Sequence, residues 1–308
     1  MTTLVYSHPD CLDHREPPGH PEQAARLLAV ERGLAGLDLE RREAPLADVT
    51  DVLRCHPAQY VARVERAVPQ QGWAQLDGDT YLAPGSCQAA LRAVGGVCAA
   101  VDAVIGAQAR NAFVACRPPG HHAERETAMG FCLFGSVAIG AKRALDHHGL
   151  ARVAVVDFDV HHGNGTQDLL WDEARCLFAS SQQMPLYPGS GFADERGAHG
   201  QMVNVPLRGG SGGAEMHAAY QREVFPRLTA FQPELILISA GFDAHADDPL
   251  AGLMWRTADF AWLTEQLCDL ADALCGGRVV SALEGGYDLD ALAASVAAHV
   301  GVLQRRGR

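Results

Sequence analysis

The sequence lacks paired cysteines. Its 308 residues include nine cysteines, an odd number, and none of them forms a Cys-x-x-Cys pair. Disulfide-stabilised domains and zinc ribbons depend on such pairing. The pattern therefore argues against both classes of protein.

Targeting and membrane signals are also missing. Residues 1–8 do not combine a basic segment with a following apolar segment, as a secretory signal does. We expect no apolar run of transmembrane length. The sequence therefore predicts a cytoplasmic protein that does not engage a membrane.

Linkers, internal repeats and low-complexity tails are absent as well. No Pro-, Ser- or charge-rich segment divides the chain, and 48% of its residues are hydrophobic. A chain of this size can bury a large core as one domain or two. We expect a single domain over residues 1–308.

Acidic residues outnumber basic ones in the chain. The chain carries 25 Lys and Arg against 37 Asp and Glu, a formal net charge of −12. Such a surface repels nucleic acid and attracts cationic ligands. Acidity that serves solubility alone is an equally good explanation.

Strand-like and helix-like segments alternate along the chain. Four short apolar runs, 112–116, 153–156, 235–239 and 278–283, have the composition of buried strands. Helical patterns cover 87–105, 137–145 and 260–274, whereas 182–213 is rich in Gly and Pro and predicts a long loop. The alternation predicts an α/β fold with a mostly parallel central sheet flanked by helices.

Polar residues follow each predicted strand directly. These clusters occupy positions 117–122, 157–162, 241–243 and 284–287. Ligand sites of open parallel sheets lie at the carboxyl ends of the strands. We therefore expect the four clusters to converge.

The second and third clusters contain metal-ligand residue types. Asp157, Asp159 and His161 are spaced by two, so an extended segment would turn them to one side. Asp159 and His161, with Asp243 from another strand, would offer three ligands and leave a fourth position for water, as in catalytic zinc sites. An Asp-x-His alone is more often a solvated loop, but its neighbours favour the metal site.

The first and last clusters provide groups for proton transfer. His121 and His122 follow a rigid Pro-Pro-Gly turn, and an imidazole can accept a proton from water and return it to an amine. Asp157 and Asn164 are candidates to orient the two rings. Tyr287 can donate its hydroxyl proton to a developing oxyanion, although the default for each of these patterns alone is ordinary surface or packing.

Taken together, the motifs resemble the histone deacetylase and acetylpolyamine amidohydrolase family. The resemblance spans nearly the whole chain, and Asn164 stands where one branch of the family has Asp and the class II-like and acetylpolyamine branch has Asn. The segments that carry it are Gly19-His-Pro-Glu22 with Arg26, Arg117-Pro-Pro-Gly-His-His-Ala123, Gly130-Phe-Cys132, Asp157-Phe-Asp-Val-His-His-Gly-Asn-Gly-Thr166, Gly241-Phe-Asp243 with Asp248-Pro-Leu250, and Leu283-Glu-Gly-Gly-Tyr287.

This resemblance implies a three-layer fold like that of arginase and the deacetylases. It also implies one zinc ion on Asp159, His161 and Asp243. His122 would act as general base and acid, with His121 assisting it electrostatically. The implied partners are Asp157 for His121 and Asn164 for His122, with Tyr287 on the substrate carbonyl.

Further sites follow from the resemblance alone. Gly130, Phe131 and Tyr187 would line a narrow substrate channel, and Asp79 would grip the substrate backbone. A structural potassium ion is expected on carbonyl groups near Asp157, Asp159 and His161 and on Ser180.

The predicted activity is metal-dependent removal of an acetyl or other short acyl group from the amine of acyl-lysine or a related cationic amine, releasing acetate. One alternative is an acetylpolyamine amidohydrolase. Other rivals are a binuclear manganese ureohydrolase and a non-catalytic protein that binds acyl ligands. Neither the substrate nor a possible homo-oligomer is fixed by the sequence.

Overall fold

A central eight-stranded sheet organises the fold. The computed structural model describes residues 2–308. All neighbouring strands of the sheet are parallel, in the order β2-β1-β5-β10-β9-β6-β7-β8. The strands are β1 (Leu4–Ser7), β2 (Glu40–Glu43), β5 (Asn111–Val114), β6 (Val153–Asp157), β7 (Cys176–Gln183), β8 (Met202–Leu207), β9 (Ile236–Ala240) and β10 (Val279–Leu283), while β3 (Ala74–Gln75) and β4 (Tyr81–Leu82) form a separate small hairpin.

Helices connect the strands. A 3₁₀ turn covers Pro9–Leu12 and a π-helical turn, Tyr220–Val224, joins α7 to α8. The α-helices are α1 (Ala25–Leu34), α2 (Val49–Val52), α3 (Ala58–Ala67), α4 (Ser86–Ile105), α5 (Ser136–Asp146), α6 (Asn164–Leu170), α7 (Gly213–Ala219), α8 (Phe225–Phe231), α9 (Thr257–Cys275) and α10 (Leu289–Gly307).

The sheet is covered on both faces. Leu237 of β9 pairs in register with Val280 of β10 and faces α5, where a Cβ at Gly140 would lie 3.8 Å from it. The next residue of β10, Ser281, points to the opposite face, and its hydroxyl lies 2.9 Å from His299 Nε2 of α10. This is the predicted three-layer α/β architecture.

The central strands are continuous apolar runs because both of their faces are buried. Every residue of β5, β6, β9 and β10 is buried. These four strands correspond to the four predicted runs, within two residues at each end. The predicted helices correspond to α4, α5 and α9.

Two expectations were wrong. The segment 182–213 is not one long loop, because Met202–Leu207 forms the edge strand β8 and pairs with β7. The second wrong expectation is that no apolar run reaches transmembrane length. By length and composition, α4 is long and apolar enough to cross a membrane. Two thirds (67%) of its apolar 18-residue stretch is buried inside the protein, as expected for the core helix of a layered fold.

Candidate active site

Three metal-ligand side chains meet at the carboxyl ends of β6 and β9. His161 Nδ1 lies 3.1 Å from Asp159 Oδ1 and 3.2 Å from Asp243 Oδ2. One ligand atom from each residue lies within 4.8 Å of the other two. Asp157 is not part of this group, since the chain leaves the extended conformation after β6.

The group has the charge of a cation site. Asp159 and Asp243 are completely buried. Burial alone lowers the pKa of His161, but the two carboxylates outweigh it and raise that pKa to about 10. Two anionic oxygens and an imidazole nitrogen in one buried pocket are a donor set that fits zinc.

Backbone groups of neighbouring loops fix both carboxylates. Gly285 N–H donates to Asp159 Oδ2 at 2.8 Å, and Val160 N–H donates to Asp243 Oδ1 at 2.9 Å. A Cβ atom at Gly285 would lie 2.1 Å from Asp243 Oδ2 and 2.5 Å from Asp159 Oδ2. Only glycine allows this close approach.

The two histidines of the first cluster lie beside this group. The centres of the His121 and His122 rings are 4.0 Å apart, and both residues are buried. His121 Nδ1 lies 3.0 Å from Asp157 Oδ2. Burial lowers the pKa of His121, but Asp159 and Asp157 outweigh it and raise that pKa well above its usual value.

The environment of His122 favours the neutral ring, in contrast to that of His121. Burial, reinforced by His121 and His161, holds its pKa well below the usual value, so the ring is neutral. Its Nδ1 lies 2.7 Å from Asn164 Oδ1. Asn164 Nδ2 donates to Glu124 Oε1 at 2.8 Å, which fixes the amide with its oxygen toward His122. His122 therefore carries its proton on Nδ1 and leaves the Nε2 lone pair free to accept one.

Glu284 ties the Pro-Pro-Gly turn to β10. This buried carboxylate accepts hydrogen bonds from Gly120 N–H at 2.7 Å, His121 N–H at 3.2 Å and the Ser239 hydroxyl at 3.1 Å. Burial raises the pKa of Glu284 to about 7. Glu284 lies in the last of the four predicted clusters, but its position in the sequence indicates no role for it.

The segment that carries Tyr287 is fixed from two sides. Tyr287 N–H donates to Asp248 Oδ2 at 2.8 Å. From α1, the buried Arg26 donates to the carbonyl oxygens of Gly286 at 2.6 Å and Glu284 at 2.5 Å, and its guanidinium carbon lies 5.0 Å from the Tyr287 ring centre. The sequence places Arg26 in a motif, but this contact depends on the fold, since Arg26 and Gly286 are 260 positions apart.

A cavity of about 360 Å³ leads to these groups. His122, His161 and Tyr287 line its inner part, and Leu250 and Tyr187 are 37% and 39% exposed at its opening. The remaining lining residues are His20, Pro21, Gly78, Asp79, Tyr81, Gly130, Phe131 and Leu186. The structure thus places all four residues predicted to bind substrate, Gly130, Phe131, Tyr187 and Asp79, along one cavity.

Ser180, predicted to bind potassium, is the register partner of Asp157 on the neighbouring strand. Its hydroxyl oxygen is buried and has no hydrogen-bond partner among residues 2–308. A buried polar atom without a partner is unusual in proteins. An oxygen of this kind fits a bound cation or water.

A second group of ligand-type residues does not need a metal. His14, Glu16 and Glu22 lie together, but Arg117 places its guanidinium against both carboxylates, with Nη2 2.8 Å from Glu16 Oε1 and 2.6 Å from Glu22 Oε2. The arginine supplies the positive charge. This network holds the segment around residues 14–22 against the turn that carries His121.

Known proteins resemble this chain along nearly its whole length. Residues 20–303 match the family model described as the histone deacetylase domain. The chain is 40% identical over 283 residues to a histone deacetylase-like amidohydrolase of Pseudomonas aeruginosa, covering 91% of this chain and 74% of that protein. It is 36% identical over 301 residues to a probable deacetylase of Archaeoglobus fulgidus, covering 94% and 82%.

A solved structure has the same fold. The crystal structure of the HDA15 HD domain superimposes with a TM-score of 0.91 at 34% sequence identity, covering 98% of this chain and 90% of that one.

Proposed function

We propose that this chain, which belongs to the histone deacetylase family and is a hydrolytic deacetylase, removes an acetyl or other short acyl group from the amine of acyl-lysine or a related cationic amine. The observation that carries the proposal is the position of the Asp159–His161–Asp243 group beside a neutral His122 at the inner end of the cavity. The products are acetate, or another short carboxylate, and the free amine.

Asp159, His161 and Asp243 would hold one divalent cation, for which zinc is our proposal. When bound, zinc polarises the amide carbonyl and makes water acidic enough to attack near neutral pH. The fit rests on the two carboxylates and one imidazole, which are the usual donors to zinc.

His122 is the proposed general base and acid. Its Nε2 can accept a proton from the attacking water, since its Nδ1 proton is directed to Asn164. The same Nε2–H can then protonate the departing amine nitrogen. His121, which Asp157 and Asp159 keep positively charged, would stabilise negative charge that develops nearby.

Tyr287 is the proposed hydroxyl donor to the substrate oxygen. Burial raises the pKa of Tyr287 well above its usual value, so its hydroxyl keeps the proton that it must donate. Arg26 and Asp248 fix the peptide group that precedes the residue, Arg26 through Gly286 O and Asp248 through Tyr287 N–H. The donor is therefore in place before the substrate binds.

The cavity supports a long, narrow substrate arm. Phe131 and Tyr187 would flank the alkyl chain, and the Asp79 carboxylate, which lines the same cavity, suits a cationic substrate in a chain of net charge −12. An acetylated polyamine fulfils these conditions as well as acyl-lysine does and is the second candidate substrate.

A structural potassium ion is a further proposal. The unpartnered Ser180 hydroxyl supports it, with backbone carbonyl groups near Asp157, Asp159 and His161 as the other donors. The cytoplasmic location and a possible homo-oligomer stay predictions.

Turnover on a substrate panel tests the proposed function. The panel contains acetyl-lysine peptides, acetylated polyamines and lysine peptides with longer acyl groups, each assayed before and after chelation and after return of zinc. We expect hydrolysis that chelation abolishes and zinc restores. Binding without turnover on every substrate would instead indicate a non-catalytic acyl-ligand protein, and urea release from a guanidino compound would indicate a ureohydrolase.

A further inference from the structure

The cavity wall at Gly130 and Phe131 is a turn with an unusual backbone. Both residues have positive φ, 54° and 69°, and Met129 and Cys132 pair across them, with Cys132 N–H donating to Met129 O at 2.9 Å. Two positive φ angles are typical of a type I′ turn, whose second central position strongly favours glycine. Phenylalanine occupies that position here, so the surrounding structure must hold the turn in place.

Thr80 provides part of that support. Phe131 N–H, which lies at the tip of the turn, donates to Thr80 Oγ1 at 3.0 Å. Thr80 is completely buried. A buried N–H without an acceptor is costly, so this hydroxyl stabilises the conformation that directs Phe131 into the cavity.

The same hydroxyl reaches the cavity opening. Thr80 Oγ1 donates to Asp79 Oδ1 at 3.3 Å, and His20 Nε2 lies 2.9 Å from the Asp79 carbonyl oxygen. One hydroxyl therefore accepts from the cavity wall and donates to the carboxylate at the opening. His20 joins the same two parts from the other side, since its ring centre lies 4.8 Å from that of Phe131.

The position of Thr80 is itself fixed. Thr80 N–H donates to Asp77 Oδ1 at 2.7 Å, and Leu76 N–H donates to Thr80 O at 2.8 Å, in the turn between β3 and β4. Such a side-chain-to-backbone turn holds its residues in one conformation. The turn between β3 and β4 therefore holds the Thr80 hydroxyl in a fixed position.

We propose that Thr80 is a positioning residue that couples the Phe131 wall to the Asp79 carboxylate and so determines how firmly the substrate arm is held. The proposal rests on the proposed function of the cavity. Because wall and opening contact the substrate before and during the reaction alike, loss of the coupling raises KM more than it lowers kcat.

Two substitutions at one position test the coupling. Thr80→Val keeps the shape but removes the hydroxyl, whereas Thr80→Ser keeps the hydroxyl. With a fluorogenic acetyl-lysine peptide we expect KM to rise about tenfold in Thr80→Val, with kcat within about threefold of the unchanged protein, and near-normal KM in Thr80→Ser.

The matched control is Thr3→Val. Thr3 is also a buried threonine with a hydrogen-bonded hydroxyl, but it precedes β1 at the opposite end of the sheet. We expect it to change stability and leave KM unaltered. An unchanged KM in Thr80→Val, or a KM raised equally in Thr80→Ser, would overturn the proposal.

A second readout does not depend on turnover. Amide hydrogen exchange of the segment 129–132 reports the Phe131 N–H directly, and we expect about tenfold faster exchange in Thr80→Val than in Thr80→Ser. Equal exchange in both variants would overturn the coupling. If no substrate is hydrolysed by the unsubstituted protein, the proposed function fails, while this exchange experiment still decides the role of Thr80.

Discussion

At the scale of single residues, the site depends on side chains whose proton positions are set by their partners. His121 faces the Asp157 carboxylate and is kept charged, whereas His122 faces the neutral amide of Asn164 and is kept uncharged. Of these two adjacent histidines, His121 is therefore cationic and His122 is neutral. Burial beside different neighbours is sufficient to separate the pKa values of the two rings.

The first prediction concerns the Tyr287 hydroxyl. Tyr287→Phe should lower kcat about 10²- to 10³-fold if this hydroxyl is a main oxyanion donor, with little change in KM. Steady-state kinetics on an acetyl-lysine peptide measures it. Tyr60→Phe is the control, since the buried Tyr60 hydroxyl donates to the Leu133 carbonyl oxygen and its loss should affect stability alone. A normal kcat in Tyr287→Phe would remove Tyr287 from the mechanism.

The second prediction concerns Arg26. Arg26→Met removes the donors to Gly286 and Glu284, so Tyr287 loses its support and kcat should fall about tenfold or more. The free energy of unfolding should also fall by about 1–3 kcal/mol, because the buried carbonyl oxygens of Gly286 and Glu284 lose their donor, while Glu22 keeps its pairing with Arg117. Kinetics and urea unfolding measure both effects. Arg32→Met, an exposed substitution on the same helix, should show neither, and a folded Arg26→Met protein with normal kcat would contradict the assigned role.

At the scale of elements, the central strands could be predicted from the sequence and the outer strands could not. β5, β6, β9 and β10 are apolar throughout because helices cover both faces. β2 is Glu-Arg-Arg-Glu, mostly exposed at one edge, and β8 lies in a stretch whose Gly and Pro content resembles a loop. β2 lacks the apolar run that identifies a buried strand, and Asn204 and Pro206 interrupt that of β8.

Site residues could be predicted where a local sequence pattern marks them, and not where their role depends on distant contacts. The clusters that follow the central strands are short-range signals, so Asp159, His161, Asp243 and the two histidines could be located in advance. Arg26, Glu284 and Thr80 act on residues far away in the chain. Their contacts depend on how the elements pack, which no local pattern contains.

The third prediction belongs to the loop after β10. Gly285→Ala would place a Cβ atom within 2.1 Å of Asp243 Oδ2, so the carboxylates must shift and zinc affinity should fall at least tenfold. Zinc titration against a competing chelator measures the affinity. Gly36→Ala is the control, because a Cβ at Gly36 meets no atom within 4 Å. Equal zinc affinity in the two variants would show that the loop does not define the site.

At the scale of the whole molecule, a polar network buried between the sheet and α10 makes stability depend on pH. His299 is completely buried, with Nδ1 2.6 Å from the Thr264 hydroxyl and Nε2 2.9 Å from the Ser281 hydroxyl. Burial lowers the pKa of His299 to about 3. The folded protein therefore keeps this imidazole neutral at pH values where the unfolded chain protonates it.

Acidification should therefore destabilise the folded protein through His299. Above an unfolded-state pKa of about 6.5 the neutral histidine contributes its full stability, which is lost progressively as pH falls from there toward about 3. Urea unfolding of the unsubstituted protein and of His299→Gln isolates the effect. The stability difference between the two proteins should shrink by about 2 kcal/mol from pH 7 to pH 5. A difference that is independent of pH would contradict the prediction.

We propose that Asp159, His161 and Asp243 hold one zinc ion beside His122. Crystals grown with zinc and measured on both sides of the zinc absorption edge test it most directly. We expect one anomalous peak per chain, within about 2.0–2.2 Å of His161 Nδ1 and of one oxygen from each aspartate. Two metal peaks in the cavity, or a single peak away from these three side chains, would contradict it.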